Sequence, residues 1–231
     1  MSEPPGKLSI VGTPIGNLED ITARALRTLA EADTVAAEDT RHTGRLLSHF
    51  SIRKPLLSYH EFNEAKRTPE LLDQLRQGKR VALVSDAGMP TVSDPGYRLI
   101  RAATEAGIAV EVVPGPSAVT AALAISGLPT NQFLFLGFLP HKSTQRRRLL
   151  SSFVLSPYSL AAFESPYRLL KSLTDIHEIL GNRRVVVARE LTKKFEEILR
   201  GDVATLLKNL ENRSVKGEIT LIIEGKTHES H

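Results

Sequence analysis

Two short apolar runs in this chain stop abruptly in glycine, proline and small polar residues. Residues 81–84 lead into Ser85-Asp-Ala-Gly-Met-Pro90 and on to Asp94-Pro-Gly96, and Val112-Val113 leads into Pro114-Gly-Pro-Ser-Ala118. Runs this short and apolar read as buried strands. Gly and Pro at their ends let backbone groups approach a ligand closely. In an α/β protein, strand ends of this kind build a binding crevice.

The same alternation runs along the whole chain. Strands are expected at 7–11, 34–37, 80–84 and 109–113, with helices at 21–32, 40–49, 69–77, 96–106 and 117–125. After Leu128-Pro-Thr-Asn131 a second set begins, with strands at 133–137, 160–163, 184–188 and 218–223 and helices at 144–153, 167–180 and 202–210. Residues 196–200 are a further strand candidate. The alternation predicts a mainly parallel sheet covered on both faces. The break near 130 predicts two domains, 1–130 and 131–231.

With 231 residues, 41% hydrophobic and 24% charged, the chain has a globular composition. It contains no Cys, which excludes disulfides, thiolate metal sites and cysteine nucleophiles. No apolar run approaches the roughly 20 residues that span a bilayer, and the amino terminus lacks a signal-peptide core. These features predict a cytoplasmic protein with no membrane association. Charge is uneven: residues 131–231 hold 16 Lys and Arg against 11 Asp and Glu, whereas 1–130 hold 14 against 15. A basic second half suits a phosphorylated or nucleic-acid partner, and a solvated basic face fits the count equally well.

Each junction has a plain and a functional reading. Gly12-Thr-Pro-Ile-Gly-Asn17 lacks both the Gly-Lys-Ser/Thr of a phosphate loop and the Gly-x-Gly-x-x-Gly of dinucleotide folds. Alone it reads as a turn into a helix capped by Asp20. Asp86 can accept hydrogen bonds from a ligand's hydroxyls or ammonium, or cap its own turn. Ser117 opens an alanine-rich helix whose free N–H groups favour an anion, or it is an ordinary serine cap.

Eight segments in order resemble the tetrapyrrole methylase superfamily, and most closely its branch acting on ribosomal RNA. They are Thr13-Pro-Ile-Gly-Asn-Leu18, Ala37-Glu-Asp-Thr-Arg-His-Thr43, Ser85-Asp-Ala-Gly with Asp94-Pro-Gly96, Pro114-Gly-Pro-Ser117, Gly137-Phe-Leu-Pro140, Phe163-Glu-Ser-Pro-Tyr-Arg-Leu169, Ala188-Arg-Glu-Leu-Thr-Lys-Lys194, and Lys216-Gly-Glu218 leading to Ile222-Ile-Glu-Gly225. The resemblance covers Leu8 to about Gly225. It implies two α/β domains of the tetrapyrrole methylase type, with S-adenosyl-L-methionine bound in a cleft between them, and a homodimer. Carried over by residue, the cofactor contacts are Pro14, Asp86, Ala87, Gly88, Met89, Ser117, Ala118, Phe163, Glu218 and Ile219. The implied activity is 2′-O-methylation of a cytidine ribose in the decoding region of 16S rRNA within the small ribosomal subunit.

Such a transfer is an in-line displacement at a sulfonium methyl, with no metal required, and the seven His show no zinc-type spacing. Alignment of the reacting atoms contributes about 7–11 kcal/mol, more than the roughly 10²–10⁴-fold of a general base. Asp39, His42 and Glu190 are the candidate bases. Candidate RNA contacts are Arg41, Lys142, Arg146, Arg147, Arg148, Arg189, Lys193 and Lys194. A porphyrin or corrin methylase of the same superfamily would favour a large apolar cleft, whereas these cations favour a polyanion. A non-catalytic RNA-binding assembly factor would be expected to lose the cofactor loops, which are retained here. Several members of the ribosomal branch continue past the glycine matching Gly225 into a helical segment. Its lack here would leave docking to the dimer and the assembled subunit.

Overall fold

A computed structural model describes residues 6–226. The chain forms two compact units, residues 1–117 and 118–231. The first contains β1 (Lys7–Val11), α1 (Ala23–Glu31), β2 (Thr34–Ala37), α2 (Thr40–His49), β3 (Leu56–Ser58), α3 (Glu64–Arg76), β4 (Arg80–Val84), α4 (Tyr97–Glu105) and β5 (Ala109–Val113). Its sheet has the order β3-β2-β4-β1-β5, and every neighbouring pair is parallel. Two separate cores explain why β2 and β4 carry unbroken apolar runs. Leu8, Ile10, Val81 and Leu83 pack with Leu71, Leu75, Leu99 and Ala103 of α3 and α4. Val11, Val35, Ala82 and Val84 pack with Ala25, Leu29 and Leu47 of α1 and α2. A strand buried on both faces has no polar alternation to show.

Helix starts follow local chemistry. Thr22 accepts from the N–H of Ala25 at 3.0 Å and caps α1, and the Asp39 carboxylate accepts from Arg41 and His42 and caps α2. The third helix begins five residues before the expected Pro69. Proline is favoured in a first turn, but here it lies inside the helix. The carbonyl it deprives of a partner belongs to Ala65, and both residues are exposed, so that group is open to solvent.

The second unit contains α5 (Ala118–Ser126), β6 (Phe133–Phe138), α6 (Ser143–Ser151), β7 (Ser159–Glu164), α7 (Leu169–Leu180), β8 (Arg184–Arg189), β9 (Glu197–Asp202), α8 (Val203–Leu210) and β10 (Ile219–Ile223). Its sheet, ordered β6-β7-β10-β8-β9, departs from the parallel expectation. Only β6 and β7 run parallel, while β10 is antiparallel to both neighbours and β8 is antiparallel to β9. For β8 and β9 the reason is the connection between them: residues 190–196 make a short reversal, which can join only antiparallel strands. One sheet face, with Leu160, Val185, Val187, Leu221 and Ile223, packs on α6, α7 and α8. The other is covered by α5, which lies against β10 and β7. That packing assigns α5 to the second unit and puts the division at Ser117/Ala118 rather than at 130.

A buried ion pair joins α6 to α7. Arg146 and Asp175 are almost fully enclosed, with Nη2 to Oδ2 at 2.5 Å and Nε to Oδ2 at 2.8 Å. Ser143 donates to the same carboxylate, and Arg146 donates to the carbonyl of Pro140. Removing one member of such a pair strands the other charge in the core. Asp175→Ala is expected to lower unfolding free energy by about 3–5 kcal/mol in urea titration. A loss within about 0.5 kcal/mol, typical of surface changes, would contradict this role.

Candidate functional site

The carboxyl ends of the first unit's strands gather at one edge of its sheet, and three of their loops are fastened together. Thr13 and Gly88 exchange backbone hydrogen bonds at 2.9 and 3.1 Å, joining the loops after β1 and β4. The Thr13 hydroxyl donates to the carbonyl of Ser85 at 3.2 Å. The Gly12 N–H donates to Val113 at 3.0 Å, tying in the end of β5. Gly12 and Gly115 then touch through their main chains. A Cβ on Gly12 would lie 2.7 Å from the Gly115 backbone and 2.6 Å from the Met89 sulfur, and a Cβ on Gly115 would lie 2.9 Å from Gly12. No side chain fits at either position without moving backbone. Gly88 has φ +80°, a conformation that favours glycine.

Pro14, Gly88, Met89 and Ser117 are therefore brought to one edge of the sheet with Asp86 and Ala87. The β2 end joins them through Asp86, whose Oδ1 accepts the N–H of Asp39 at 3.0 Å. This cradle, built mainly of backbone, fits a ligand held by main-chain groups, as S-adenosylmethionine would be held. Its carboxylates fit a cation. Burial raises the Glu38 carboxyl above its usual range, with the Asp86 charge adding to the effect. Burial first, and then the charges of Glu38 and Asp86, push Asp94 up to about 6 despite a hydrogen bond with Ser85. A bound sulfonium or ammonium would relieve that mutual repulsion.

The proposed bases fare unequally. Asp39 is engaged at both oxygens, by the N–H groups of Arg41 and His42 and by the Arg41 guanidinium, whose hydrogen bonds hold its carboxyl far below the usual range. A carboxylate stabilised so well as an anion is a poor proton acceptor. Glu190 is engaged as well. Its Oε1 accepts the Glu218 N–H at 2.9 Å and the Lys193 ammonium at 3.0 Å, and these contacts lower its pKa. Its side chain lies over Gly217, where a Cβ would meet it at 2.4 Å. His42 lies exposed in the first turn of α2, and its ring makes no hydrogen bond or ion pair among the described residues.

Several expected RNA contacts are structural. Arg146 is corrected to the buried partner of Asp175. Arg189 is corrected too, since it pairs with Glu197 at 3.2 Å and donates to the carbonyls of Lys216 and Phe195. Arg147 contacts Asp175 and Glu178, and Lys193 bridges Glu190 and Glu218. Lys142, Arg148 and Lys194 are exposed, and Arg41 is exposed although paired with Asp39. A run of three arginines on a helix has no periodicity that tells its buried member from the others. The signal would have been Asp175, one apolar-face position of α7 occupied by an acid.

In the second unit Phe163 packs edge-on against Phe135, with centroids 5.1 Å apart, and against Phe138 at 5.3 Å. Ile219 is buried beside Glu164, and Glu218 is exposed at the start of β10. Ala118 opens α5. Glu38 and Asp94, both in segments read from the sequence, had no signal marking them as the perturbed carboxyls, because their burial depends on the loops closing.

Residues 7–207 match the family described as Tetrapyrrole (Corrin/Porphyrin) Methylases, and the chain belongs to that family. It is an S-adenosylmethionine-dependent methyltransferase. Among known proteins it is 54% identical over 221 residues to the ribosomal RNA small subunit methyltransferase I of Thermotoga maritima, covering 96% of this chain and 99% of that one. The protein of the same name from Escherichia coli O157:H7 is 52% identical, with 95% and 78% covered. Among solved structures, uroporphyrin-III-C-methyltransferase from Thermus thermophilus superimposes with a TM-score of 0.66 at 23% identity, covering 94% of each chain, and shares the fold.

Asp94 provides a direct check on the loop electrostatics. An acid whose pKa rises on folding makes the folded state bind more protons between about 4 and 6, so its contribution to stability is lost as pH rises through that window. Asp94→Asn removes this penalty while retaining a side chain that can meet Ser85. After discounting for solvent reaching a half-buried group, the variant should melt about 2–4 °C above the parent at pH 7.5 and lose the advantage near pH 4. A lower melting temperature at pH 7.5 would contradict the crowding.

Proposed function

We propose that this chain transfers a methyl group from S-adenosylmethionine to the 2′-oxygen of a cytidine in the 16S rRNA of the small ribosomal subunit, acting as a homodimer. The observation that carries the reading is the near-full-length identity, 54%, to a small-subunit rRNA methyltransferase. The cofactor would supply an activated methyl on sulfonium, a group that carries its own leaving group. Pro14, Asp86, Ala87, Gly88, Met89, Ser117 and Ala118, with Phe163, Glu218 and Ile219, are its assigned contacts. What the loops contribute is fixed position: backbone groups locked by the Thr13–Gly88 exchange need little reordering on binding. The acidic loop residues favour a cationic ligand.

For the proton of the 2′-hydroxyl, His42 is the assigned acceptor, since Asp39 and Glu190 are committed to other bonds. Arg41, next to it and exposed, offers its guanidinium to a phosphate while keeping its bond to Asp39. Among the described residues no helix is long and apolar enough to cross a membrane. Lys142, Arg148 and Lys194 are the exposed cations through which the second unit would hold the RNA backbone.

The test presents purified protein and methyl-labelled cofactor with three substrates: small subunits from a strain lacking the enzyme, naked 16S rRNA and a tetrapyrrole. Mass spectrometry should place the label on a cytidine ribose. Label on a base or on the tetrapyrrole would overturn the reading. His42→Ala should lower kcat by about 10²-fold or more and leave cofactor affinity unchanged. An unchanged kcat would remove His42 from the chemistry.

A further inference from the structure

The exposed aromatic side chains of the second unit are unevenly placed. Strand directions bring the carboxyl ends of β6, β7 and β8 to the same end of the sheet as the amino ends of β9 and β10, because Glu164 and Arg189 both pair with Ile219, and Arg189 with Glu197. At that end Tyr167 is 91% exposed, Phe195 65% and Phe138 59%. They come from three connections along the sheet edge, after β7, between β8 and β9, and at the close of β6. Burial would stabilise each of these rings. Their exposure together is a surface that expects a partner.

Charge at this end selects the partner. Most of its acids are paired with cations, Glu164 with Arg168, Glu190 and Glu218 with Lys193, and Glu197 with Arg189 and Arg213, while Glu196 accepts the Thr192 N–H at 2.6 Å. Lys142, Lys194 and Lys216 remain exposed and outside any ion pair among the described residues. Lys194 sits with its ammonium 5.6 Å from the centre of the Phe195 ring. Flat rings interleaved with unpaired cations suit a ligand that offers π faces and oxyanions along one chain, which describes unpaired nucleotides. A duplex hides its base faces and gains nothing from the rings.

We propose that this end of the second sheet is a platform for single-stranded RNA, with bases stacking on Tyr167 and Phe195 and phosphates met by Lys142 and Lys194. The proposal rests on the rRNA reading above and adds that the substrate is engaged through an unpaired segment, with Tyr167 and Phe195 as recognition residues outside the cofactor loops.

Fluorescence anisotropy with a labelled mixed-sequence oligoribonucleotide tests it, comparing the single strand with the same strand annealed to its complement. The strand should bind at least about tenfold more tightly than the duplex. Tyr167→Ala and Phe195→Ala should each weaken strand binding by about tenfold, whereas Tyr167→Phe keeps it. Lys142→Ala and Lys194→Ala should each reduce the salt dependence by about one phosphate contact. All of these side chains are exposed, so melting temperature and cofactor affinity by calorimetry should stay at parental values. Equal affinity for strand and duplex, or alanine variants that bind the strand as the parent does, would overturn the platform. Failure of the parent protein to methylate any RNA, with strand preference intact, would instead overturn the substrate reading.

Discussion

Everything proposed for the first unit depends on two glycine backbones lying against each other. Gly12 and Gly115 end neighbouring strands, and their contact is too close for any side chain. With the reciprocal Thr13–Gly88 bonds, it turns three independent strand ends into one rigid edge. Loops are normally the mobile part of an α/β protein. Here they are cross-linked by main chain, so ligand-facing backbone groups are set in place before a ligand arrives. The same closure crowds Glu38, Asp86 and Asp94, so rigidity and a negative field arise from one packing arrangement.

The second unit solves a different problem with charged groups. It commits most of its charges at one sheet end to holding loops: Glu190 pins the turn before β10, Arg189 ties three segments, and Arg146 is sunk in the core. What remains facing water is a smaller set of cations than the composition suggests, and it stands among exposed rings. A net positive count thus overstates the binding surface, and the distribution of pairs defines it.

The runs of β1, β2, β4, β8 and β10 were legible because strands buried on both faces read as unbroken apolar stretches, whereas β5, read as buried, is largely exposed, with Val112 58% exposed. The short β3 was not, since Leu56-Leu57-Ser58 is too brief to show a period. The close packing of the loops after β1, β4 and β5 was legible as well, since Gly and Pro at a strand end announce close backbone approach. The boundary was displaced because the break read at Leu128-Pro-Thr-Asn131 lies after α5, while α5 belongs by packing to the sheet that follows it. Roles of charged residues were least legible. Asp39, Glu190, Arg146 and Arg189 carry the same charge whether they serve a ligand or a cap, and only the partner's position decides. His60 illustrates the same limit: Asn63 donates to its Nε2 at 3.1 Å and leaves Nδ1 buried, an arrangement no spacing rule foretells.

Cofactor affinity of a Gly115→Ala variant, measured by isothermal titration calorimetry, tests the central claim most directly, with Gly44→Ala as the control because a Cβ there meets only a Leu56 methyl at 3.5 Å. A single methyl on Gly115 must push the β1 and β5 loops apart, so S-adenosylmethionine affinity should fall at least about tenfold, a cost of about 1.4 kcal/mol, while the control stays at the parental value. Parental affinity in folded Gly115→Ala protein would contradict the claim that this backbone contact shapes the site.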